Sequence, residues 1–337
     1  MKTIRFCVAG TGRAGLIHAN NIARNIAGGA LAAVAEPNAG AVRALIGQID
    51  GCQLFPSIGE ALRGAEFDAV VIGAPTFAHK EIAVAAAMAG KHVFCEKPIA
   101  LSLAECEEIS KAIERSGVLF QIGFMRRYDP SFREAKCQID QGKVGRVTFV
   151  RSVTRGPGLP PEWACDPATS NGMLAEVNSH DFDTVRWLTG SDIAEVFAVA
   201  GAFKCPELRE KYPGFYDNAA VLLKMANGAI ATIQGACPAT FGYEARAEVL
   251  GTEGLLEIGS LGSLNVVRCR KEEGLVRPHS SSWQSLFEAA YLEEIRAFVD
   301  CIRSGASPVP GFEDGRKALA AVIAANRSIR DKQPVEL

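Results

Sequence analysis

The sequence predicts two layered domains: an N-terminal α/β domain with a doubly wound parallel sheet, and a C-terminal α+β domain with a large, mostly antiparallel open sheet. Three observations carry this. Through the first third, short apolar runs alternate with helical patterns, which is the grammar of parallel βαβ units. After Phe124 the alternation stops, and the stretch from Gly156 to Gly172, with four prolines, reads as a loop. Further on, Asn227-Gly228 sits between the strand-like runs Ala219–Met225 and Ala229–Gln234, a strong hairpin signal, and hairpins imply antiparallel pairing. The expected domains are 1–123 and 124–337, with the last helix packing back on the first domain. A chain of 337 residues is long enough for both.

The elements follow in order. Ile4–Ala9 is a near-continuous apolar run, as a strand covered on both faces requires. Leu31–Glu36, Ala69–Ile72, His92–Cys95 and Val118–Phe124 are the next strands. His79–Ala89 reads as an Ala-rich helix stopped by Gly90. Ser102 with Glu105 forms a capping box for a helix reaching Ser116. Helices are expected over Pro130–Gln141 and Met173–Leu188, the latter closed by Gly190. Val147–Thr154, Glu248–Leu250 and Leu255–Ile258 are strands. Helices over Ser285–Ser304 and Glu313–Lys332 close the chain.

Composition excludes several classes of function. Hydrophobic residues make up 48% and charged residues 22%, so a large core can be buried. The net charge is −2 without any like-charge block, which argues against a nucleic-acid surface or an anionic membrane as partner. No apolar run is long enough for a membrane span. The ten cysteines are scattered without a C-x-x-C, as free thiols in a reducing compartment would be. The chain enters a strand almost at once, so no secretory signal is expected and a cytoplasmic location is. His18, His79, His92, His180 and His279 are too dispersed to suggest a metal site by spacing.

Gly10-Thr11-Gly12-Arg13-Ala14-Gly15 matches G-x-G-x-x-G. In a chain with 33 glycines the pattern alone is weak. Its context is specific: it leaves an apolar strand and opens a helix. Gly10 permits the tight turn, Gly12 lets backbone approach a pyrophosphate, and Gly15 allows close helix–strand packing. The pyrophosphate would meet free N–H groups at the helix N-terminus. Glu36, at the end of the second strand, stands where a carboxylate accepts ribose hydroxyls and repels a 2′-phosphate. Pro37, Asn38 and Ala39 bring no Arg to neutralise one. NAD is therefore favoured over NADP as cofactor.

Two further clusters concern chemistry. Glu96-Lys97-Pro98 closes the fourth strand, and ligands of such sheets bind beyond the strands' carboxyl ends. Glu176, His180 and Asp183 have spacings that put them on one face of the Met173–Leu188 helix. From the residues alone, a purely structural role for His180 stays open.

The chain resembles the glucose–fructose oxidoreductase / inositol dehydrogenase / rhizopine-catabolism (Gfo/Idh/MocA) family. The resemblance runs nearly end to end. Its carriers are the glycine fingerprint; Ala74-Pro75-Thr76 with His79; Cys95-Glu96-Lys97-Pro98; Gly123-Phe124-Met125-Arg126-Arg127-Tyr128-Asp129; Ser179-His180-Asp181-Phe182-Asp183; and Ala290-Tyr291-Leu292-Glu293-Glu294. The Gly-Phe-Met-Arg-Arg-Tyr-Asp segment is closest to inositol 2-dehydrogenases. The resemblance implies an N-terminal Rossmann domain and an NAD-dependent oxidation of a secondary hydroxyl on a cyclic polyol or sugar. It implies that Lys97 holds the reacting hydroxyl, that His180 takes its proton and that Glu176 orients His180. It adds Ala74, Pro75, Thr76, His79, Glu96 and Lys97 to the cofactor site, and puts Lys97, Arg127, Arg155, Glu176 and His180 on the substrate side. It implies a homo-oligomer formed through the C-terminal sheet.

Two departures stand out. The family's D-x-x-x-H pattern has Glu176 in place of Asp. Thr154-Arg155-Gly156-Pro157 replaces a His-Arg-Asn-Pro common in inositol dehydrogenases, which leaves a substrate other than myo-inositol open. The same residue set would also serve a sugar or amino-sugar ketoreductase or an NAD-dependent glycosidase. A non-catalytic nucleotide-sensing regulator is the alternative from another class.

Overall fold

A computed structural model describes every residue except 1, 39, 41, 261–267, 271–273 and 277–278. Ala39, in the stretch after Glu36, thus lies outside the described residues. The chain forms two compact units, Met1–Tyr128 with Ala289–Leu319, and Asp129–Glu288 with Ala320–Leu337.

The first unit is built on six parallel strands: β1 (Ile4–Ala9), β2 (Gly29–Ala35), β3 (Gln53–Phe55), β4 (Ala69–Ile72), β5 (His92–Glu96) and β6 (Phe120–Gly123). Their order is β3-β2-β1-β4-β5-β6, the dinucleotide-binding winding, with its reversal between β1 and β4. The apolar run of β4 is buried at all four positions, as a doubly covered strand should be. The helix Leu103–Ser116 starts where Ser102 Oγ accepts the Glu105 N–H at 3.2 Å. The Glu105 carboxylate returns to the Leu101 N–H at 2.7 Å, and Gly117, at φ 66°, ends the helix. One face of the sheet is sealed by a helix from far along the chain, Glu288–Ser304. Its Ile295, Phe298 and Val299 pack into the cluster of Phe6, Val8, Ala69, Val71 and Phe94.

The second unit holds a seven-stranded sheet. Its strands are β7 (Val147–Arg155), β8 (Ile193–Gly201), β9 (Asn218–Met225), β10 (Ile230–Ala236), β11 (Glu244–Gly251), β12 (Leu255–Ile258) and, after a separate pair β13 (Arg268–Arg270) and β14 (Gly274–Val276), β15 (Val335–Glu336). The order is β12-β11-β7-β10-β9-β8-β15. Among the described residues only the β7–β10 pairing of this sheet is parallel, so the sheet is mostly antiparallel, as expected. The β9–β10 hairpin turns at Asn227-Gly228: Gly228 takes φ 86° and the Asn227 side chain accepts the Ala229 N–H at 3.1 Å. Burial alternates strictly along β9 from Ala219, so one face is packed and the other open.

Several expected elements differ. The helix expected over Met173–Leu188 is two, Gly172–Glu176 and Ser179–Thr189, with the break at Val177 and Asn178. Asn178 spends its side-chain amide on Asp181 at 2.8 Å, the local bonding that draws Asn out of helix interiors. The loop over Gly156–Gly172 contains helical turns at Glu162–Cys165 and Pro167–Ser170, the second capped by Asp166. The helix expected over Ser285–Ser304 splits into Trp283–Leu286 and Glu288–Ser304. β3, β8 and the helix Ile58–Gly64 gave too short or too weak a pattern to be foreseen. In the described residues no helix is long and apolar enough to cross a membrane.

Phe298 is fully buried, with ring centroids of Phe6 and Phe94 at 6.4 and 5.9 Å. Phe298→Ala is expected to destabilise the protein by about 3–5 kcal/mol, read from the urea midpoint. An unchanged midpoint would mean that this helix does not seal the sheet.

Candidate active site

In the first unit the predicted nucleotide residues gather at the carboxyl edge of the sheet, where its winding reverses. The turn after β1 and the turn after β4 touch. A Cβ on Gly10, which takes φ +85°, would lie 2.4 Å from Ala74 Cα. A Cβ on Gly15 would lie 2.0 Å from Gly10 O. Both glycines are thus demanded by the protein's own packing. Gly12 is not. A Cβ there would meet only Gly73 O at 3.6 Å, and Gly12 and Arg13 are exposed. Gly12 is therefore the position left open for a ligand to approach the backbone. It is the N-cap of the helix Arg13–Arg24, which has no side-chain cap and no acidic residue in its first turn. That N-terminus fits a pyrophosphate.

Glu36 follows β2. Its Oε2 accepts the Thr11 N–H and the Thr11 hydroxyl, both at 2.8 Å, and its Oε1 accepts the Asn38 N–H at 2.9 Å. Partial burial pushes this carboxyl up, but the three hydrogen bonds outweigh it and hold it below its usual 4.5. An ionised, fixed carboxylate at this place fits a ribose diol and opposes a phosphate.

Ala74 and Pro75 are half-buried, and Thr76 is buried at the start of the helix Thr76–Met88. His79 is buried one turn on. Its Nδ1 lies 2.7 Å from Pro98 O and its Nε2 lies 2.8 Å from Ala74 O. The ring thereby ties the turn after β4 to the segment after β5. Lys97 is half-buried at the end of β5, and its backbone N–H donates to Glu96 Oε2 at 3.2 Å. The Lys97–Pro98 peptide is cis. Arg127 lies in a 3-10 turn after β6 and bonds Asp314 Oδ1 at 2.8 Å, so its guanidinium is at least partly structural.

The second unit arranges the other candidates. His180 is 5% exposed, in the first turn of the helix Ser179–Thr189, and Glu176 is half-buried at the end of the preceding short helix. The expectation of one helical face through Glu176, His180 and Asp183 is corrected by the break between the two helices. His180 and Asp183 share a helix; Glu176 does not. The residue that anchors this region is one the sequence reading passed over. Asp181 is fully buried and accepts hydrogen bonds from Ser152 Oγ, from Thr154 Oγ1 at 2.7 Å and from Asn178 Nδ2 at 2.8 Å. It pins the start of the His180 helix to β7. Its signal was present: Ser152 and Thr154 sit on the buried positions of β7, where a hydroxyl needs a partner. Arg155, next along β7, pairs with Glu244 and donates to Gln234 Oε1 at 2.7 Å.

Two more residues were missed. His18 and Glu294 are fully buried, and His18 Nε2 lies 2.7 Å from Glu96 Oε1. His18 shares the buried face of its helix with Gly15, Ala19 and Ile22, and Glu294 lies on the apolar stripe of Tyr291, Ile295 and Phe298. A charged residue on such a stripe was the available signal.

Burial, and then the nearby Glu96 charge, push the Glu294 carboxyl well above its usual 4.5. The folded protein then keeps a proton that the unfolded chain releases above 4.5, so stability falls as pH rises through that window. As pH rises above 4.5, wild type should lose stability relative to Glu294→Gln, by up to about 1.4 kcal/mol per pH unit, in urea denaturation. Parallel pH profiles for the two proteins would contradict a neutral Glu294.

Comparison with known proteins joins these observations. Residues 4–124 match the family described as "Oxidoreductase family, NAD-binding Rossmann fold", and residues 132–257 match the "GFO/IDH/MocA C-terminal domain". The chain is 33% identical over 334 residues to scyllo-inositol 2-dehydrogenase (NAD(+)) of Bacillus subtilis, covering 99% of this chain and 96% of that protein. It superposes on scyllo-inositol dehydrogenase from Lactobacillus casei with bound NAD(H) and scyllo-inositol at a TM-score of 0.92, with 32% identity and 99% of both chains covered. For myo-inositol 2-dehydrogenase from Lactobacillus plantarum the TM-score is 0.93, with 30% identity and 100% of both chains covered. Both halves of the chain match family models and relatives match it end to end, and the chain belongs to the GFO/IDH/MocA family of NAD-dependent oxidoreductases.

Proposed function

We propose that this protein oxidises a secondary hydroxyl of an inositol or a closely related cyclic polyol. The observation that carries the reading is its full-length similarity to inositol dehydrogenases, one of them bound to NAD(H) and scyllo-inositol. Gly10–Gly15, Glu36 and the Ala74–Thr76 turn hold the dinucleotide, with His79 and Glu96 supporting the adjoining backbone. Bound NAD⁺ supplies the two-electron acceptor.

The chain's own residues supply the rest. Lys97 and His180 belong to different units, and the resemblance assigns both to the reacting hydroxyl. His180 removes the hydroxyl proton, a contribution of about 10²–10⁴-fold. The Lys97 ammonium stabilises the oxygen as it becomes anionic. Glu176 orients the imidazole and stabilises its charged form. Arg127 and Arg155, each already paired with a carboxylate, are assigned to the substrate side by the resemblance. The same acid–base set runs in reverse, so the direction follows the supply of alcohol or ketone.

Val199, Leu222, Ile230, Leu250 and Leu255 are exposed on the seven-stranded sheet. Covering by a second copy of the chain, and hence a homo-oligomer, accounts for such an apolar face. The free cysteines suit a reducing cytoplasm.

The test is a panel of inositols and aldoses with NAD⁺ and NADP⁺, followed as net NADH or NADPH. Turnover of scyllo- or myo-inositol with NAD⁺ is expected. Cleavage of a glycoside without net NADH would overturn the reading. Lys97→Ala and His180→Ala should each lower kcat by about 10²–10⁴-fold, with NAD⁺ affinity changed by no more than about threefold.

A further inference from the structure

Three ionisable side chains meet in the interior of the first unit. His18 comes from the helix after β1, Glu96 from the end of β5 and Glu294 from the helix Glu288–Ser304. None is more than 5% exposed. His18 Nε2 lies 2.7 Å from Glu96 Oε1 and 3.8 Å from Glu294 Oε1. Phe94 and Tyr291 wall the imidazole, edge-on, at 5.0 and 5.6 Å between centroids. Among the described residues, both Glu294 oxygens and His18 Nδ1 have no hydrogen-bond partner. Orphaned polar atoms in a packed interior are costly, and a core built for stability alone would hold apolar residues here.

The cluster leads to Lys97. Glu96 Oε1 faces His18, while Glu96 Oε2 accepts the Lys97 backbone N–H at 3.2 Å. Room for that carboxyl is reserved at β6: a Cβ on Gly123 would come within 3.1 Å of the Glu96 carboxyl carbon. We propose that His18 is a positioning residue for Lys97: by donating from Nε2 to Glu96 it holds that carboxylate in the orientation that fastens the peptide carrying Lys97. The inference rests on the reading of Lys97 as the group at the reacting oxygen. Glu294 completes the device. Burial, and then the Glu96 charge, push its carboxyl up and favour its uncharged form, which leaves the imidazole N–H to Glu96. A lysine displaced by about 1 Å can cost about 10²-fold in rate, which gives such a support its value.

The experiment compares His18→Phe, which keeps the ring volume and loses the donor, with His18→Gln, whose amide nitrogen can stand in for Nε2. His18→Phe is expected to lower kcat by about 10- to 100-fold, with KM and NAD⁺ affinity within about threefold of wild type. His18→Gln should recover kcat to within about fivefold. With substrate deuterated at the reacting carbon, the isotope effect on kcat should be larger in His18→Phe than in wild type. Equal losses in both variants, or normal kcat in His18→Phe, would overturn the proposal. So would stoichiometric metal in purified wild type that His18→Phe loses, since the cluster would then be a cation site. Should His18→Phe not fold, Glu96→Gln takes its place: a fall in kcat with NAD⁺ affinity kept supports the proposal, and normal kcat overturns it. Lys97→Ala separates the two levels. Normal turnover in Lys97→Ala sinks the reading of Lys97; impaired turnover there beside a normal His18→Phe sinks this one.

Discussion

The contact between the turns after β1 and β4 is the constraint on which the first unit depends. A parallel sheet wound outward in both directions must start from two adjacent strands whose following segments leave on opposite sides. The crevice this opens is useful only if the two turns are small enough to share it. Gly10 against Ala74, and Gly15 against Gly10 and Gly73, meet that demand with backbone-to-backbone contact. Any side chain at Gly10 or Gly15 would spread the turns. Gly12 is exempt from this packing, since a Cβ there would meet Gly73 O at an ordinary 3.6 Å.

Carboxylates in this protein show how environment alone divides one functional group into several tools. Glu36 stays at the surface side of its strand and receives three hydrogen bonds, which favour the anion over the burial that opposes it. Asp181 is deeper but fully served by two hydroxyls and an amide, so it can act as a structural anchor. Glu294 is equally deep and receives no hydrogen bond among the described residues, and burial pushes its carboxyl towards the neutral form. The deciding quantity is the number of donors delivered to the buried oxygen, since each unmet oxygen carries its full desolvation cost.

Much of the fold was legible because its period was. Ile4–Ala9, Ala69–Ile72 and Leu255–Ile258 were read to the residue, since continuous or alternating apolar runs with turn residues at each end leave little choice. The three-residue β3 offered no period to read, and tertiary pairing with β2 alone creates it. The break at Val177-Asn178 was illegible for another reason. Helical spacing continues through it, and the competing bond, Asn178 to Asp181, exists only because Ser152 and Thr154 arrive from a distant strand to complete the network. For the site, the glycine cradle and Glu36 carried their own sequence context. Lys97 and His180 did not, and their roles came from resemblance. His18 and Glu294 could have been suspected as polar intruders on apolar helix stripes, but not as neighbours, since they lie far apart in sequence.

That break also changes what a glutamate at position 176 means. In one continuous helix, residues four apart stack at a fixed separation, and an extra methylene overshoots. Here Glu176 ends one short helix and His180 lies in the first turn of the next. Their separation is set by the backbone at Val177 and Asn178, and by the Asp181 network that fixes where the second helix starts. The break therefore removes the fixed four-residue spacing that a single helix would give Glu176 and His180.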